Sequence, residues 1–187
     1  FATAKLYTTA MNSPKEIEAK YALADADALR GRLVAASAVR RGVVDQTDVF
    51  YDDGSGRYCE GQCGLRIRTT RPAESAGDAE VRITFKGPLE EASGLKVRTE
   101  LETVLGDGDT AAGILAAIGF SPVVTVRKIR ESWRLGECDV EIDDVQQAGL
   151  FVEVEGPTAE AVREVCARLE LPGDPITASY ASMVAGK

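Results

Sequence analysis

The sequence predicts an α+β protein in which about eight antiparallel β-strands close a barrel and about four amphipathic helices pack outside it. Three observations carry this. Segment after segment alternates apolar against charged residues with a period of two, the signature of half-buried strands. Most of these strands follow one another directly, as antiparallel neighbours do. An eight-strand count is enough to close a small barrel whose interior holds side chains or one small ligand.

The totals fit one domain. The chain has 187 residues, 44% hydrophobic and 28% charged, which supports a single core and leaves little for a second. Residues 13–187 read as that domain. Because the chain opens on Phe1 and its first methionine is Met11, residues 1–12 are expected to be an appended or disordered leader. A net charge of -8 argues against a nucleic-acid partner, which needs a basic footprint. No apolar run approaches the roughly 18 residues of a membrane span, and the first residues lack the basic and apolar regions of a signal peptide. The expectation is a cytoplasmic protein with no membrane partner and with reduced thiols at Cys59, Cys63, Cys138 and Cys166. With no histidine in the chain, neither a Ser-His-Asp triad nor a Cys-His pair can be built, and zinc at Cys59/Cys63 is weakly supported. Chemistry must come from carboxylates, Lys, Arg, Tyr or a metal.

In order, Lys15 to Tyr21 places Glu16, Glu18 and Lys20 on one face and Ile17, Ala19 and Tyr21 on the other. Asp25 to Val39 carries Leu29, Leu33 and Val34 at helical spacing, with Asp25 or Asp27 as N-cap. Val43 to Asp53 reads as a strand closed by a Gly/Ser/Asp turn. Gly64 to Thr70 sets Leu65, Ile67 and Thr69 against Arg66, Arg68 and Thr70, and Arg71 to Ala79 is a polar loop. Glu80 to Lys86 and Lys96 to Val104 alternate in the same way. A helix follows with Asp109 as N-cap, Ile114, Leu115 and Ile118 as its stripe and Gly119 at its end. Strands then cover Thr125 to Arg134, Glu137 to Val145 and Leu150 to Glu155. A helix over about Thr158 to Leu169 buries Val162, Val165, Cys166 and Leu169, and a short one spans Ser179 to Val184.

On the polar faces the charges separate by sign. The opening strand and the last two contribute Glu16, Glu18, Asp143, Glu153 and Glu155, while the strands between contribute Arg66, Arg68, Lys86, Lys128 and Arg130. Solubility does not ask for this, since it prefers mixed signs. If these faces line a barrel, the lumen must be wet or filled by a ligand of complementary charge, because dry unpaired ions cost several kcal/mol each. Clustered carboxylates suit Mg²⁺ or Mn²⁺, and clustered Arg and Lys suit phosphate oxygens. A polyphosphate with its metal satisfies both.

Taken together, E-I-E-A-K at 16–20, Q-T-D-V-F-Y-D at 46–52, L-R-I-R at 65–68, T-F-K-G-P at 84–88, R-T-E-L-E at 98–102 and R-K-I-R at 127–130 form an ordered series. I-D-D-V at 142–145, G-L-F-V-E-V-E at 149–155 and S-Y at 179–180 complete it. In this series the chain resembles the CYTH family of triphosphate tunnel enzymes, which includes class IV adenylyl cyclases and thiamine triphosphatases. The resemblance implies an eight-stranded tunnel that binds a triphosphate and a divalent metal. It implies metal binding by Glu16, Glu18, Asp143, Glu153 and Glu155, and phosphate binding by Lys20, Arg66, Arg68, Lys86, Lys128 and Arg130, with Arg98 and Glu100 as further lumen members. Glu18 or Lys20 is the candidate proton acceptor. For Arg82, Glu102, Asp139 and Glu141 a charge-balancing role competes with function, and Tyr180 is expected to pack.

The expected partner is a triphosphate-containing small molecule, with a homodimer also admitted. The leading activity is hydrolysis of the terminal phosphoanhydride by water; the alternative is attack of the ribose 3′-hydroxyl on the α-phosphorus of ATP, giving cyclic AMP and pyrophosphate. A non-catalytic polyphosphate-binding module would tolerate loss of the carboxylates, and a lipocalin-like carrier would need an apolar lumen.

Overall fold

The computed structural model describes residues 15–58, 63–92 and 95–186, so the expectations for residues 1–12 and Cys59 lie outside it. In order the elements are β1 (Lys15–Ala22), α1 (Ala26–Ala35), β2 (Val39–Asp52), β3 (Gly64–Pro72), β4 (Glu80–Lys86), β5 (Glu90–Ala92) and β6 (Leu95–Leu105). Then come α2 (Gly108–Ala117), β7 (Ser121–Leu135), β8 (Cys138–Val145), β9 (Gly149–Glu155), α3 (Ala159–Arg168) and α4 (Tyr180–Ala185).

The strands form one sheet in the order β1-β9-β8-β7-β2-β3-β4-β6-β5, and a further β1–β6 pairing closes it into a barrel. Eight strands are staves. Among the described residues the three-residue β5 pairs with β6 alone; it is too short for alternation to reveal it. All pairings are antiparallel, including the long β2–β7 ribbon, which has register shifts at Arg40/Gly42 and Phe50/Tyr51. Such bulges add the local twist a closed barrel needs. β2 begins at Val39, where sequence alone suggests Val43, because Val39, Arg40 and Arg41 are all exposed and carry no in–out alternation.

The apolar faces point outward and are covered by helices. α1 and α3 lie over β1, β7, β8 and β9, where Leu29, Leu33, Val162 and Leu169 pack with Ala19, Trp133, Val140, Val152 and Val154. Asp25 caps α1 by accepting from the N–H groups of Asp27 at 2.9 Å and Ala28 at 3.0 Å. Val34, expected on the same stripe as Leu29 and Leu33, is 64% exposed: it follows Leu33 directly and so falls about 100° round the helix. α2 covers β2, β3 and β4 through Ala111, Ala112 and Leu115. Here the structure corrects the sequence reading twice. The N-cap is Asp107, which accepts from the N–H groups of Asp109 and Thr110, and Ile114 and Ile118 face solvent while the two alanines let the helix sit close. Gly119 follows with φ +96, the left-handed conformation that ends many helices.

α4 packs differently. Tyr180, Ala181, Met183 and Val184 gather with Phe50, Val124, Val126, Val145 and Phe151, which share the parity of the lumen residues on their strands. One end of the barrel interior is therefore apolar and filled by this short helix.

Candidate active site

Strand alternation delivers the charged faces into a lumen cavity of about 860 Å³, a size that suits a drug-sized small molecule. It is lined by Glu16, Glu18 and Lys20 of β1, Asp48 of β2, Arg66 and Arg68 of β3, Lys86 of β4 and Lys96, Arg98 and Glu100 of β6. Lys128 and Arg130 of β7, Glu141 of β8 and Glu153 and Glu155 of β9, with Lys15 and Glu102, complete the charged wall.

The residues form three groups. In the first, Asp143 is fully buried and accepts from Lys128 Nζ at 2.9 Å and from Arg130 Nε at 2.7 Å. Arg130 also donates to Glu153, whose other oxygen lies 3.2 Å from Lys20 Nζ. Burial alone would raise the Glu153 carboxyl, but Lys20, Arg130 and Lys128 hold it well below the usual range. Lys128 is pushed down to about 8, by burial first and then by Arg130. Asp143 and Glu153 thus sit among cations that they orient.

In the second group, Asp48 accepts from Arg68 Nε at 2.6 Å and Nη2 at 2.7 Å and from Arg66 Nη1 at 3.4 Å. The antiparallel register sets Asp48 directly opposite Arg68. Burial opposes its charge, yet Arg66 and Arg68 hold it far below the ordinary carboxylate range. Asp48 is only 2% exposed.

The third group is richer in carboxylates. Lys86 Nζ lies 2.6 Å from Glu16 and 3.0 Å from Glu100, and Lys96 Nζ lies 3.0 Å from Glu18. Glu155 stands opposite Glu18 in the β1–β9 register, and Arg98 opposite Glu16 in the β1–β6 register. Glu155 remains accessible but is lifted to about 7, by the surrounding protein first and then by the charges of Glu16, Glu18 and Glu100.

The structure thus gathers the expected phosphate-binding cations and four of the five expected carboxylates, Glu16, Glu18, Glu153 and Glu155, around one cavity; Asp143, expected as a metal ligand, is instead fully buried behind the wall, where Lys128 and Arg130 consume its oxygens. Among the described residues no three carboxylates converge as a ready-made metal cage, because each of Glu16, Glu18, Asp143 and Glu153 is drawn to a cation. The donor chemistry of the third group nevertheless fits a hard divalent cation: crowded carboxylate oxygens repel one another, and a cation would relieve that.

Of the residues left open by sequence, Glu141 lines the cavity and accepts from Ser132 Oγ at 2.6 Å. Glu102 also lines the cavity, where it accepts from Thr84 Oγ1 at 2.9 Å and pairs with Arg82; Arg82 with Glu80 and Asp139 with Arg134 are charge-balancing pairs. Sequence reasoning missed Asp48 and Lys96 as lumen residues, although parity with Arg98 on the same strand could have found Lys96. Tyr180 packs against Phe151, with centroids 5.2 Å apart, and it also lies under Lys20 and Lys128. Beside the charged wall the cavity has an apolar stretch of Phe50, Tyr58, Cys63 and Leu89. Tyr58 is set there by a turn in which Asp52 accepts from the N–H groups of Gly54, Gly56 and Tyr58.

A family model described as the CYTH domain matches residues 14–167. A relative from Methanocaldococcus jannaschii, named "Putative adenylate cyclase MJ0240", is 32% identical over 111 residues, which is 59% of this chain and 58% of that protein. The chain therefore spans rather more than half the length of this relative. Among solved structures, the PH1819 protein of Pyrococcus horikoshii OT3 superposes with a TM-score of 0.79 at 24% identity, covering 91% of this chain and 98% of the other. A "Putative adenylyl cyclase" from Hippeastrum, reported to have a dominant triphosphatase activity, gives a TM-score of 0.67 at 21% identity, covering 92% and 96%. At these identities the superpositions speak for the fold.

Proposed function

This chain belongs to the CYTH domain family, and from that premise we propose that it is a divalent-metal-dependent enzyme that hydrolyses the terminal phosphoanhydride of a triphosphate held in the barrel. The observation that carries this reading is the pairing of two charge environments in one cavity: a wall of Lys20, Arg66, Arg68, Lys86, Lys128 and Arg130, and a cluster of Glu16, Glu18, Glu100 and Glu155.

Phosphoryl transfer asks the protein mainly to position the chain of phosphates and to stabilise charge. Arg66 and Arg68 are already oriented by Asp48, and Lys128 and Arg130 by Asp143, so little reorganisation is needed when phosphate oxygens arrive. Lys20, held by Glu153 and by the Ala178 carbonyl at 3.2 Å, suits a phosphate ligand better than a base. Glu18, with an oxygen pairing with Lys96, is then the proton acceptor for the attacking water. The water oxygen bonds to the terminal phosphorus, the bridging P–O bond breaks, and the remaining diphosphate leaves. Mg²⁺ or Mn²⁺ would be held by Glu16 and Glu155, and when bound it would supply charge neutralisation on the phosphate oxygens.

A second reading is supported by the apolar stretch of Phe50, Tyr58, Cys63 and Leu89, which offers a nucleoside a place beside the phosphates. There the ribose 3′-hydroxyl of ATP would attack the α-phosphorus and release pyrophosphate. One experiment separates the two: incubate the protein with inorganic triphosphate or ATP and Mg²⁺ or Mn²⁺, and resolve orthophosphate, pyrophosphate, ADP and cyclic AMP. Orthophosphate released one for one with pyrophosphate from inorganic triphosphate, or with ADP from ATP, upholds hydrolysis; cyclic AMP as the main product from ATP replaces it with cyclisation; no product from either substrate removes both.

A further inference from the structure

Tyr180 occupies a place that packing alone does not account for. It opens α4, is 8% exposed and borders the cavity. Lys20 Nζ lies 3.8 Å from its ring centroid and Lys128 Nζ lies 4.9 Å from the same centroid. These two lysines come from β1 and β7, strands far apart in sequence, and the ring is where they meet. The phenol oxygen is buried and makes no full hydrogen bond to the described residues, although it stands beside Asp143; ring face and hydroxyl are therefore separable contributions, and the Tyr180→Phe variant tells them apart.

The π face of an aromatic ring attracts an ammonium electrostatically, and an N–H aimed at it is held far more weakly than by a carboxylate, so it can turn to a ligand. A carboxylate in the same place would consume the donors. Each ammonium has three donors. Lys20 engages the Ala178 carbonyl at 3.2 Å and Glu153 at 3.2 Å, and Lys128 engages Asp143 at 2.9 Å. Donors remain on both for a ligand. Each ammonium is drawn to the ring, which thus gives both cations one point of attachment.

We propose that Tyr180 is a positioning residue whose ring face holds the Lys20 and Lys128 ammonium groups together at the lumen wall, keeping their free N–H donors available to bound phosphate. The inference rests on the triphosphate reading above and adds a specific role for the C-terminal segment in it. It differs from a packing role in one measurable respect. Packing depends on the size and shape of the ring, whereas holding cations depends on the electron density of its face.

The test is to place phenylalanine and its 4-fluoro, 3,5-difluoro and 3,4,5-trifluoro analogues at position 180 of the full chain, and to titrate each with inorganic triphosphate by calorimetry, with Mg²⁺ and without. Thermal unfolding is recorded for each protein. Fluorines withdraw density from the ring face with little change in size. Tyr180→Phe is expected to bind within about threefold of the wild type, and successive fluorines to weaken binding stepwise to about tenfold at three, at nearly constant melting temperature. Tyr180→Leu is expected to weaken it further. A flat fluorine series, with the wild type binding triphosphate, overturns the role of the ring face. Loss of binding already at Tyr180→Phe overturns it too, because the hydroxyl would then be the active part. A wild type that binds no triphosphate under any of these conditions overturns the triphosphate reading itself, which separates the two failures.

Discussion

Asp48→Asn strips the charge from a buried carboxylate that accepts from Arg68 at 2.6 and 2.7 Å and from Arg66 at 3.4 Å. The amide keeps the shape and an acceptor oxygen, so the perturbation is almost purely electrostatic. Removing one partner of a buried ion pair typically costs about 3–5 kcal/mol, because the surviving charge is left uncompensated; here two guanidinium groups are left. For a chain of this size each kcal/mol moves the melting temperature by roughly 2–4 °C, so a fall of about 6–20 °C is expected. The sign of the pH dependence follows from the depressed carboxyl of Asp48. Its stabilisation is present above the ordinary value of 3.8 and fades only as pH falls through the lower folded value, so the deficit of the variant should be constant from pH 5 to 8. Millimolar inorganic triphosphate should restore more stability to the variant than to the wild type, since an anion can replace the missing charge. Differential scanning fluorimetry with and without triphosphate reads all of this. A variant melting within about 2 °C of the wild type would refute the view that Asp48 compensates the two arginines.

Three further outcomes are expected. Glu18→Ala or Arg66→Ala should reduce turnover of any triphosphate substrate by at least about a hundredfold while circular dichroism stays that of the folded barrel; full activity in either removes that residue from the site. Lys128, lowered to about 8 from 10.5, makes stability and affinity move in opposite directions. The unfolded chain binds the extra proton between these values, so stability should rise with pH from about 8 to 10.5, by at most about 3 kcal/mol, while triphosphate affinity falls. Lys128→Met should flatten both profiles, and an unchanged alkaline affinity limb would contradict the position of Lys128 in the wall. Outside the lumen, Glu131 accepts from Arg30 at 2.8 Å, Arg40 at 3.0 Å and Trp133 at 3.0 Å. Glu131→Gln should cost about 1–3 kcal/mol in chemical denaturation without altering kcat, and a selective loss of kcat would point to coupling between the outer face and the lumen.

The barrel and most of its lumen were legible because both depend on parity. A strand that alternates Ile17, Ala19, Tyr21 against Glu16, Glu18, Lys20 already states which residues share a face, and the sign segregation of those faces hinted that the polar side is enclosed. What parity cannot supply is pairing across strands. The partners that matter are long-range: Lys86 meets Glu16 and Lys96 meets Glu18 only because β1 docks on β6. For the same reason the expected five-carboxylate group was drawn as one cluster, although Asp143 and Glu153 answer to Lys128, Arg130 and Lys20 while Glu155 sits with Glu16 and Glu18. Helix faces were less legible. In α2 the large Ile114 and Ile118 suggested an inward stripe, but a close approach to the sheet selects Ala111 and Ala112 for that face. The aspect of Tyr180 was hidden because ring stacking on lysines leaves no periodic trace.

The seam between β1 and β6 has a consequence for how the protein is assembled. β1 is the first element of the fold, yet it completes the ring by pairing at once with β9 and with β6, and Glu18 has a partner in both, Glu155 and Lys96. Contacts between the two ends of a long chain are entropically late, so the site should mature last, when the opening strand locks into a ring whose other staves are already paired. A ligand gripped by residues on both sides of that seam lowers the free energy of the closed ring and not of the open one. Triphosphate and metal would then act as fasteners of the architecture as well as participants in chemistry. Hydrogen exchange at Ile17 and Val97 amides, which flank the seam, would slow on ligand addition in proportion to how tightly the ring is fastened.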